Sequence, residues 1–335
     1  MSDATGAAEA GGVAADLPGP LARFDARPRL AALLGAVCIA FSGILYEFAA
    51  VSPTTGTFYR AVFGLPLLAA VAIAERRRYG GLPTRTIRLA LIAGVFFTGD
   101  LLAWHHAIAA VGTGLATVLG NLQVLVVGAV AWAAFGERPS NSTFAALPVV
   151  LLGVVLISGV IGSGAYGADP TLGVALGLLT ALCYSGYLLV IRRSSSDTRR
   201  PAGPVAIATL SIAACSALFG GVTGTLDLTP GPQSLAWLAL LGLSSQSLGY
   251  LLISVSLIRL PAVLTSIILL AQPVATVILA RILLDEEPSI AQLAGVALVV
   301  VGLAVATVPF ARLRDLAAGT GSGARSTAPS DNPTP

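Results

Sequence analysis

The sequence has little charge and no lysine. Charged residues make up 10% of its 335 residues, whereas soluble domains contain about 25%. All 19 basic residues are Arg. This composition excludes an ordinary soluble domain, and the absence of Lys excludes the phosphate-binding loop of an ATP-driven pump. The net charge of +3 is small and dispersed, so the sequence predicts no nucleic-acid partner.

Cysteine and histidine are equally scarce. Cys38, Cys183 and Cys215 lie in separate apolar stretches, and we interpret them as small core residues. His105 and His106 are adjacent, so on a helix their side chains point about 100° apart and do not share a metal ion. No hydrolase or metalloprotease pattern is present. The sequence therefore predicts no metal, no cofactor and no enzymatic activity.

What the chain has instead is a series of long apolar stretches. Hydrophobic residues make up 56% of it, and a helix needs about twenty such residues to cross a bilayer. Each crossing segment must be helical, because hydrocarbon leaves backbone polar groups no partner but each other. The sequence therefore predicts an all-α integral membrane protein with ten transmembrane helices. These cover residues 30–50, 55–74, 88–110, 114–134, 141–163, 171–191, 204–224, 233–257, 261–283 and 290–311.

Apart from Arg60 and Arg281, which lie within spans, arginine occurs only at the termini and in or beside every second loop. The odd-numbered loops (51–54, 111–113, 164–170, 225–232 and 284–289) contain none. By the positive-inside rule, both termini are predicted to be cytoplasmic. Arg without Lys, in a chain rich in Ala and Gly, is typical of a high-GC bacterial genome, so we expect a bacterial inner membrane. Residues 1–28 contain no signal-peptide core, and we expect both 1–28 and 312–335 to be disordered.

The second half of the chain repeats the first. A shift of 149 residues places Gln123 on Gln272 and Glu137 on Glu286, and the Pro-Ser pair that follows each glutamate also matches. Because five helices is an odd number, the second repeat crosses the membrane in the opposite sense. We therefore predict two inverted five-helix repeats, 29–163 and 171–311, joined by an external linker at 164–170.

These features resemble the drug/metabolite transporter superfamily, and in particular its ten-helix EamA-type members. The likeness rests on Ser52-Pro53 followed by Arg60, on the paired Glu137 and Glu286, on Gln272-Pro273, and on Gly153 with Gly302 in the last helix of each repeat. It implies export or exchange of small metabolites such as amino acids, while some relatives carry drugs. Val124 stands where the first repeat often has Pro, which predicts a fourth helix without a proline kink.

Ionisable residues within the spans are the first candidates for function, because burying charge in the bilayer is costly. Arg60 is either a clamp for a substrate carboxylate or a snorkelling side chain paired with Glu47. Asp100 lies in mid-span and shares its helix face with Trp104, which suits an ammonium group. The alternative is a structural hydrogen bond between helices. Glu47 and Asp100 are the candidate proton sites.

Four polar residues complete the predicted substrate path. Gln123 and Gln272 match across the repeat, while Gln246 and Tyr250 lie one turn apart in the eighth helix. In inverted-repeat carriers the substrate lies near mid-membrane between the repeats, although interhelical hydrogen bonds are an equal alternative for these residues. For His105 and His106, the sequence favours a neutral ring bonded across helices over a proton relay.

The sequence thus predicts a secondary transporter that moves amino acids or their derivatives by alternating access, as an exporter or an exchanger. Its partners are a small-molecule substrate and the lipid bilayer, and a homodimer is an open alternative to a monomer. A drug or cation efflux carrier is the alternative within this class, for which Asp100 alone suffices. A membrane scaffold or an integral-membrane enzyme is the alternative outside it, but the loops are short and the charged groups sparse.

Overall fold

The computed structural model describes residues 27–135, 141–159, 161, 164–194, 200–259, 269 and 271–307. The predicted disordered ends lie outside these residues apart from Arg27 and Pro28, and so does the turn that contains Glu137.

The described regular elements are all helical. They are α1 (Pro28–Ala40), α2 (Ser42–Ala49), α3 (Pro53–Tyr79), α4 (Thr84–Val111), α5 (Thr113–Gly120), α6 (Gln123–Phe135), α7 (Asn141–Ile157), α8 (Pro170–Ser194), α9 (Ala202–Thr223), α10 (Pro232–Leu241), a π-helical segment (Gly242–Gly249), α11 (Tyr250–Arg259), α12 (Ala271–Leu283) and α13 (Ile290–Thr307).

These helices account for the ten predicted spans. Six helical stretches are long and apolar enough to cross a membrane by length and composition. They are α1 with α2, then α3, α4, α8 and α9, and finally α10 continued through the π-helical segment into α11. Four shorter apolar stretches stand at the fourth, fifth, ninth and tenth spans. Part of the ninth span, before Ala271, lies outside the described residues.

Helix boundaries follow local chemistry. Pro53 is the first residue of α3, where a missing N–H costs nothing, and the Ser52 hydroxyl accepts a hydrogen bond from the Thr55 N–H at 3.2 Å. Gly112 is the single residue between α4 and α5 and has φ of +88°, a conformation that favours glycine. The chain therefore reverses direction within one residue at this end of the molecule.

The fourth span is interrupted although it has no proline. α5 ends at Gly120 and α6 begins at Gln123. Asn121 donates from Nδ2 to the Thr117 carbonyl at 2.8 Å, and the Leu122 N–H bonds to the Leu119 carbonyl, three residues back, at 3.0 Å. An asparagine side chain that takes a helix carbonyl competes with the regular helix ladder. The expectation that this helix lacks a proline kink therefore does not make it continuous.

Helix contacts follow a twofold pattern. In three of the contacts, the two helices that touch are each other's equivalents in the two repeats. They are α3 with α9, α5 with α12, and α7 with α13. The remaining contacts come in matched sets. The contact between the third and sixth spans is matched by the contact between the eighth and first. The contact between the third and seventh spans is matched by the contact between the eighth and second. The fourth packs on the sixth as the first packs on the ninth. This is the contact pattern of two equivalent five-helix units.

The two units run in opposite directions. Glu75, near the end of α3, accepts hydrogen bonds from the N–H groups of Ala202 and Gly203 at the start of α9. At the other end, Ser52 before α3 donates to the Thr225 carbonyl just after α9. The equivalent helices α3 and α9 are therefore antiparallel, as an inverted repeat requires.

Candidate functional site

A cavity of about 310 Å³ lies where the two units meet. That size is at the lower end of the range for small-molecule sites. Its wall comes from seven of the ten spans and is mostly apolar, with a few polar groups. The lining residues are Ile39, Ser42, Arg60, Asp100, Leu101, Trp104, Thr117, Gly120, Asn121, Gln123, Val124, Val127, Thr180, Tyr184, Leu188, Tyr250, Ile253, Leu269 and Gln272.

Arg60 is held in place by both repeats. Its side chain is 2% exposed, and its Nε donates to Gln246 Oε1 at 2.9 Å while Nη1 donates to Ser42 Oγ at 2.8 Å. Its guanidinium carbon lies 6.0 Å from the centroid of the Trp104 ring. Within the described residues Nη2 has no hydrogen-bond partner. Arg60 is therefore fixed on one edge and free on the other, and its partner is Gln246 rather than Glu47.

Asp100 is the unpaired charge of the cavity. It is 6% exposed and lines the cavity wall. Its backbone carbonyl accepts from Thr180 Oγ1 at 3.4 Å, but its carboxylate has no hydrogen-bond or ion-pair partner in the described part of the chain. Arg60 is among the groups that act on it electrostatically, yet the two do not form an ion pair within 4.0 Å. A carboxylate in this position needs a cation or a proton.

An aromatic wall stands beside these charges. Trp104, Tyr184 and Tyr250 line the cavity. Behind them, the Phe97 ring stacks on Tyr187 with centroids 4.4 Å apart and meets Tyr250 edge-on at 5.2 Å. Such packing fixes the rings that face the cavity. Aromatic faces next to a free carboxylate suit an ammonium group.

The three predicted glutamines divide into two roles. Gln123 and Gln272 line the cavity, and Gln123 Oε1 is buried without a hydrogen-bond partner. Gln246 does not line the cavity. It accepts from Arg60 and donates from Nε2 to Thr209 Oγ1 at 3.1 Å. Two glutamines are therefore placed to contact a ligand, and the third positions Arg60.

The lining is symmetric in position but not in chemistry. Where the 149-residue shift applies, with residues 89–140 on 238–289, four pairs of lining residues coincide. They are Leu101 with Tyr250, Trp104 with Ile253, Gly120 with Leu269, and Gln123 with Gln272. Only the last pair is identical, and Asp100 corresponds to Gly249. The cavity therefore lies on the axis that relates the repeats, and its charge comes from one of them.

Glu47 belongs to a different place. It lies with Glu286 and Tyr166 in a separate crevice of about 400 Å³ at the Arg-poor end of the molecule. Burial raises the pKa of the Tyr166 phenol, and the nearby carboxylates, Glu286 first, raise it further. The phenol therefore stays neutral at physiological pH. The two predicted proton sites, Glu47 and Asp100, do not share a cavity.

The histidines lie outside the cavity lining. His105 is fully buried, stacks on Tyr46 with centroids 4.0 Å apart, and its Nδ1 is 2.9 Å from Thr57 Oγ1. That hydroxyl donates to the Pro53 carbonyl, so Nδ1 carries the proton and donates to Thr57. Nε2 is left as a buried acceptor with no partner. His106 bonds to the Leu102 carbonyl of its own helix at 2.7 Å.

Sequence reasoning missed five polar lining residues, among them the two threonines Thr117 and Thr180. The other three, Ser42, Asn121 and Tyr184, also face the cavity, and Ser42 supports Arg60. Each is a polar or aromatic residue within an apolar span, and this is the feature of the sequence that could have identified it as a lining residue. Serine and tyrosine are also frequent as packing residues, so that signal alone does not select them.

A helical bundle of two inverted repeats, with a partly polar cavity on the axis between them, defines a membrane carrier for small molecules. The comparison with known families agrees. The EamA-like transporter family matches residues 28–159 and 171–308, which is most of the chain. The protein belongs to this family and is a multi-pass membrane transporter of small molecules. The family match confirms the predicted resemblance and the predicted fold of two five-helix repeats. EamA-like proteins are transporters, in agreement with the prediction of a non-enzyme.

Two further comparisons bear on the fold and the substrate. No protein of curated function matches the chain significantly. A solved structure titled "Crystal structure of protein" is 22% identical to it, with a TM-score of 0.61. The match covers 84% of this chain and 98% of that one. At that level of identity the likeness supports the fold alone.

Proposed function

We propose that the protein is a secondary carrier in a bacterial inner membrane that exports or exchanges amino acids or their derivatives by alternating access. The cavity is its binding site. One observation carries this proposal: a single small cavity contains an unpaired carboxylate and a guanidinium with a free edge. In a zwitterionic ligand, the ammonium pairs with Asp100 and the carboxylate with Arg60. The separation of these two side chains by more than the 4.0 Å of an ion pair leaves room between them.

Each charge has a defined part in this arrangement. Arg60 is already anchored by Gln246 and Ser42, so a ligand carboxylate meets Nη2 without the side chain having to be ordered first. Asp100 carries no competing hydrogen bond, so it is available to the ammonium. Trp104, Tyr184 and Tyr250 cover the apolar part of the ligand. Asp100 is also the proton site of the proposal. When the ammonium leaves, the carboxylate has no ion-pair partner within 4.0 Å among the described residues, and a proton neutralises it instead.

The test is counterflow uptake in liposomes that contain the purified protein. The panel has three sets: amino acids, the corresponding amines without the carboxylate, and the corresponding acids without the amine. We expect saturable uptake of one or more amino acids and little uptake of either other set. Asp100→Asn and Arg60→Lys should each reduce uptake, while Asp227→Asn, a change in an exposed loop, should leave it unchanged.

A cation or drug efflux carrier is the second candidate, and one observation favours it. The Arg60 side chain already has two hydrogen-bond partners, whereas the Asp100 carboxylate has none among the described residues. If amines without a carboxylate are carried as well as amino acids, and Arg60→Lys does not affect them, this candidate replaces the first. If no compound is carried by a folded and reconstituted protein, the assignment of this cavity as a binding site is wrong.

The proposed orientation has its own test. The Arg distribution supports cytoplasmic termini. A cysteine at Gly81 or Gly231 would meet no other atom within 4 Å, and the two positions lie in loops at opposite ends of the helices. With the native cysteines replaced, we expect a membrane-impermeant thiol reagent to label Gly231→Cys from outside intact cells and Gly81→Cys only from the cytoplasmic face. The reverse result would invert the topology.

A further inference from the structure

Two buried glutamates tie the repeats together in the same chemical way. Glu286 accepts hydrogen bonds from the N–H groups of Thr113 and Gly114, at 2.5 and 3.1 Å. Glu75 accepts from Ala202 and Gly203, at 2.9 Å each. Both glutamates are at most 3% exposed. In each case a carboxylate of one repeat binds the first N–H groups of a helix in the other, where the helix dipole favours negative charge.

The two ties act on different helix pairs. The pair joined by Glu75, α3 and α9, is also joined at its opposite end, where Ser52 Oγ donates to the Thr225 carbonyl at 2.7 Å and the Asp227 N–H donates to Thr55 Oγ1 at 2.9 Å. Because hydrogen bonds join α3 and α9 at both ends in the same conformation, the two helices do not separate at either end. Of the residues of α3 and α9, only Arg60 lines the cavity. We interpret α3 and α9 as a static pair.

Glu286 holds a segment that does reach the cavity. It binds the first residues of α5, and the other end of α5 contributes Thr117, Gly120 and then Asn121 to the cavity wall. The fourth span is interrupted immediately after α5. Among the described residues, α5 forms hydrogen bonds with the ninth span, the tenth span and the turn between them only through Glu286. Within the described residues, one carboxylate therefore supplies all the hydrogen bonds that attach the short helix to that side, and the rest of the contact is packing, chiefly against α12.

The backbone around this contact is shaped for the carboxylate. A Cβ on Gly112 would lie 2.9 Å from Glu286 Oε2, and one on Gly114 would lie 3.4 Å from the same atom. Gly112 also needs its positive φ for the turn. Glycine at position 112 thus lets the carboxylate approach the N–H groups of Thr113 and Gly114, whereas a Cβ on Gly114 would first meet Val277, at 3.1 Å from its Cα. This fit is independent of the hydrogen bonds themselves.

We propose that Glu286 is the latch that closes the cavity toward the Arg-poor end of the molecule, and that each transport cycle requires α5 to leave it. Glu286 is a positioning residue, since it acts on the cavity through α5. This inference rests on the proposed carrier function. It assigns the moving part to the fourth and ninth spans and the static part to α3 and α9.

The adjacent residue is a natural control. Glu287 is exposed, and its Oε1 is 2.8 Å from Arg281 Nη1. It has the same charge and lies in the same turn, but among the described residues no hydrogen bond joins it to α5. A change at Glu287 therefore alters the electrostatics of this end of the molecule without releasing the short helix.

The experiment measures the accessibility of Thr117→Cys in the full-length protein with Cys38, Cys183 and Cys215 replaced by Ser. Thr117 lies one turn from the latch and faces the cavity. A membrane-impermeant thiol reagent is applied from the face that labels Gly231→Cys, with no substrate present. We expect Glu286→Ala to raise the labelling rate at least tenfold and Glu287→Gln to leave it unchanged.

Equal rates in the parent and in Glu286→Ala would overturn the latch, and so would an equal rise in Glu287→Gln. If Glu286→Ala does not fold, Glu286→Gln decides by the same criterion with an expected rise of about threefold, because the amide keeps one acceptor. Labelling needs no substrate, so a failed amino-acid assay leaves this result intact. Conversely, amino-acid uptake together with unchanged labelling would reject the latch and keep the carrier.

Discussion

The third and eighth spans are equivalent by repeat, and they form the cavity differently. The third is one regular helix, α4, which brings Asp100 and Trp104 to the cavity. The eighth contains the π-helical segment Gly242–Gly249 and brings Tyr250 and Ile253. The helical scaffold is present in both repeats, but the charged residues of the cavity, Arg60 and Asp100, come only from the first. Positional symmetry lets a carrier expose one site to either side, whereas a charge on one side only gives the ligand a fixed orientation.

The π-helical segment shows how the second repeat departs from the first. It places Gln246 at hydrogen-bond distance from Arg60, and it packs against Gly64, where a Cβ would lie 2.9 Å from the Gln246 Cβ. The equivalent of Gln246 in α4 is Phe97, which belongs to the aromatic packing. π-helical turns occur mostly as inserted features at functional sites. Here the irregular helix supports Arg60, whereas the regular helix α4 brings Asp100 to the cavity.

The largest expected effect comes from removing the charge that only the first repeat supplies. Asp100→Asn keeps the shape of the side chain but not the ion pair to an ammonium. A hydrogen bond to a charged group contributes about 1.5–3 kcal/mol, so we expect kcat/KM for uptake to fall about 10- to 100-fold. The equivalent position, Gly249, cannot replace it, because a Cβ there would lie 3.0 Å from Ile39. If uptake by Asp100→Asn is unchanged, the charge that only the first repeat supplies does not take part in substrate binding.

The second comparison sets the supporting glutamine against one that lines the cavity. Gln246→Leu leaves Arg60 Nε buried without its acceptor, which should cost about 1–3 kcal/mol of stability. Gln123→Leu removes an oxygen that has no partner, so we expect a change within about 0.5 kcal/mol. The midpoints of thermal unfolding of the two purified variants measure this difference. Equal losses in both would mean that Gln246 contributes volume rather than the hydrogen bond.

The smallest effect concerns the aromatic wall. Trp104→Leu removes the ring beside Asp100 and Arg60, and a cation–π contact contributes about 0.5–1 kcal/mol at such sites. We expect the KM for an amine-bearing substrate to rise about two- to fivefold. Ile253→Leu, at the equivalent position of the second repeat, should leave the KM unchanged. A similar rise in both variants would indicate a loss of general packing.

Much of the fold could be predicted from residue patterns. Apolar length located the spans to within a few residues, because the bilayer leaves helices as the only solution for such segments. The polar residues of mid-span also identified much of the cavity: Arg60, Asp100, Trp104, Gln123, Tyr250 and Gln272 all line it. Rarity is the reason, since a polar or ionisable group inside an apolar span is costly and therefore marks a paired or a functional position.

What the sequence did not predict depends on long-range pairing. Glu286 was visible as a repeat match of Glu137, but nothing in the turn indicates that its partners are Thr113 and Gly114. The interruption before Gln123 has no proline to mark it. The partner of Arg60 was also not predictable, because Glu47 lies closer along the chain and Gln246 does not differ in type from the other glutamines. Such contacts are set by the packing of distant spans rather than by local preference.

The pairing of Arg60 with Gln246 also constrains how the protein is made. The two residues are 186 positions apart, so at about 5–20 residues per second the ribosome completes Gln246 roughly 10–40 seconds after Arg60. During that interval the guanidinium is in or near the bilayer without its main acceptor. The first repeat therefore does not reach its final structure alone, and biogenesis of the carrier is cooperative across both halves: a chain truncated after the fifth span keeps the Ser42 partner of Arg60 but lacks its Gln246 acceptor.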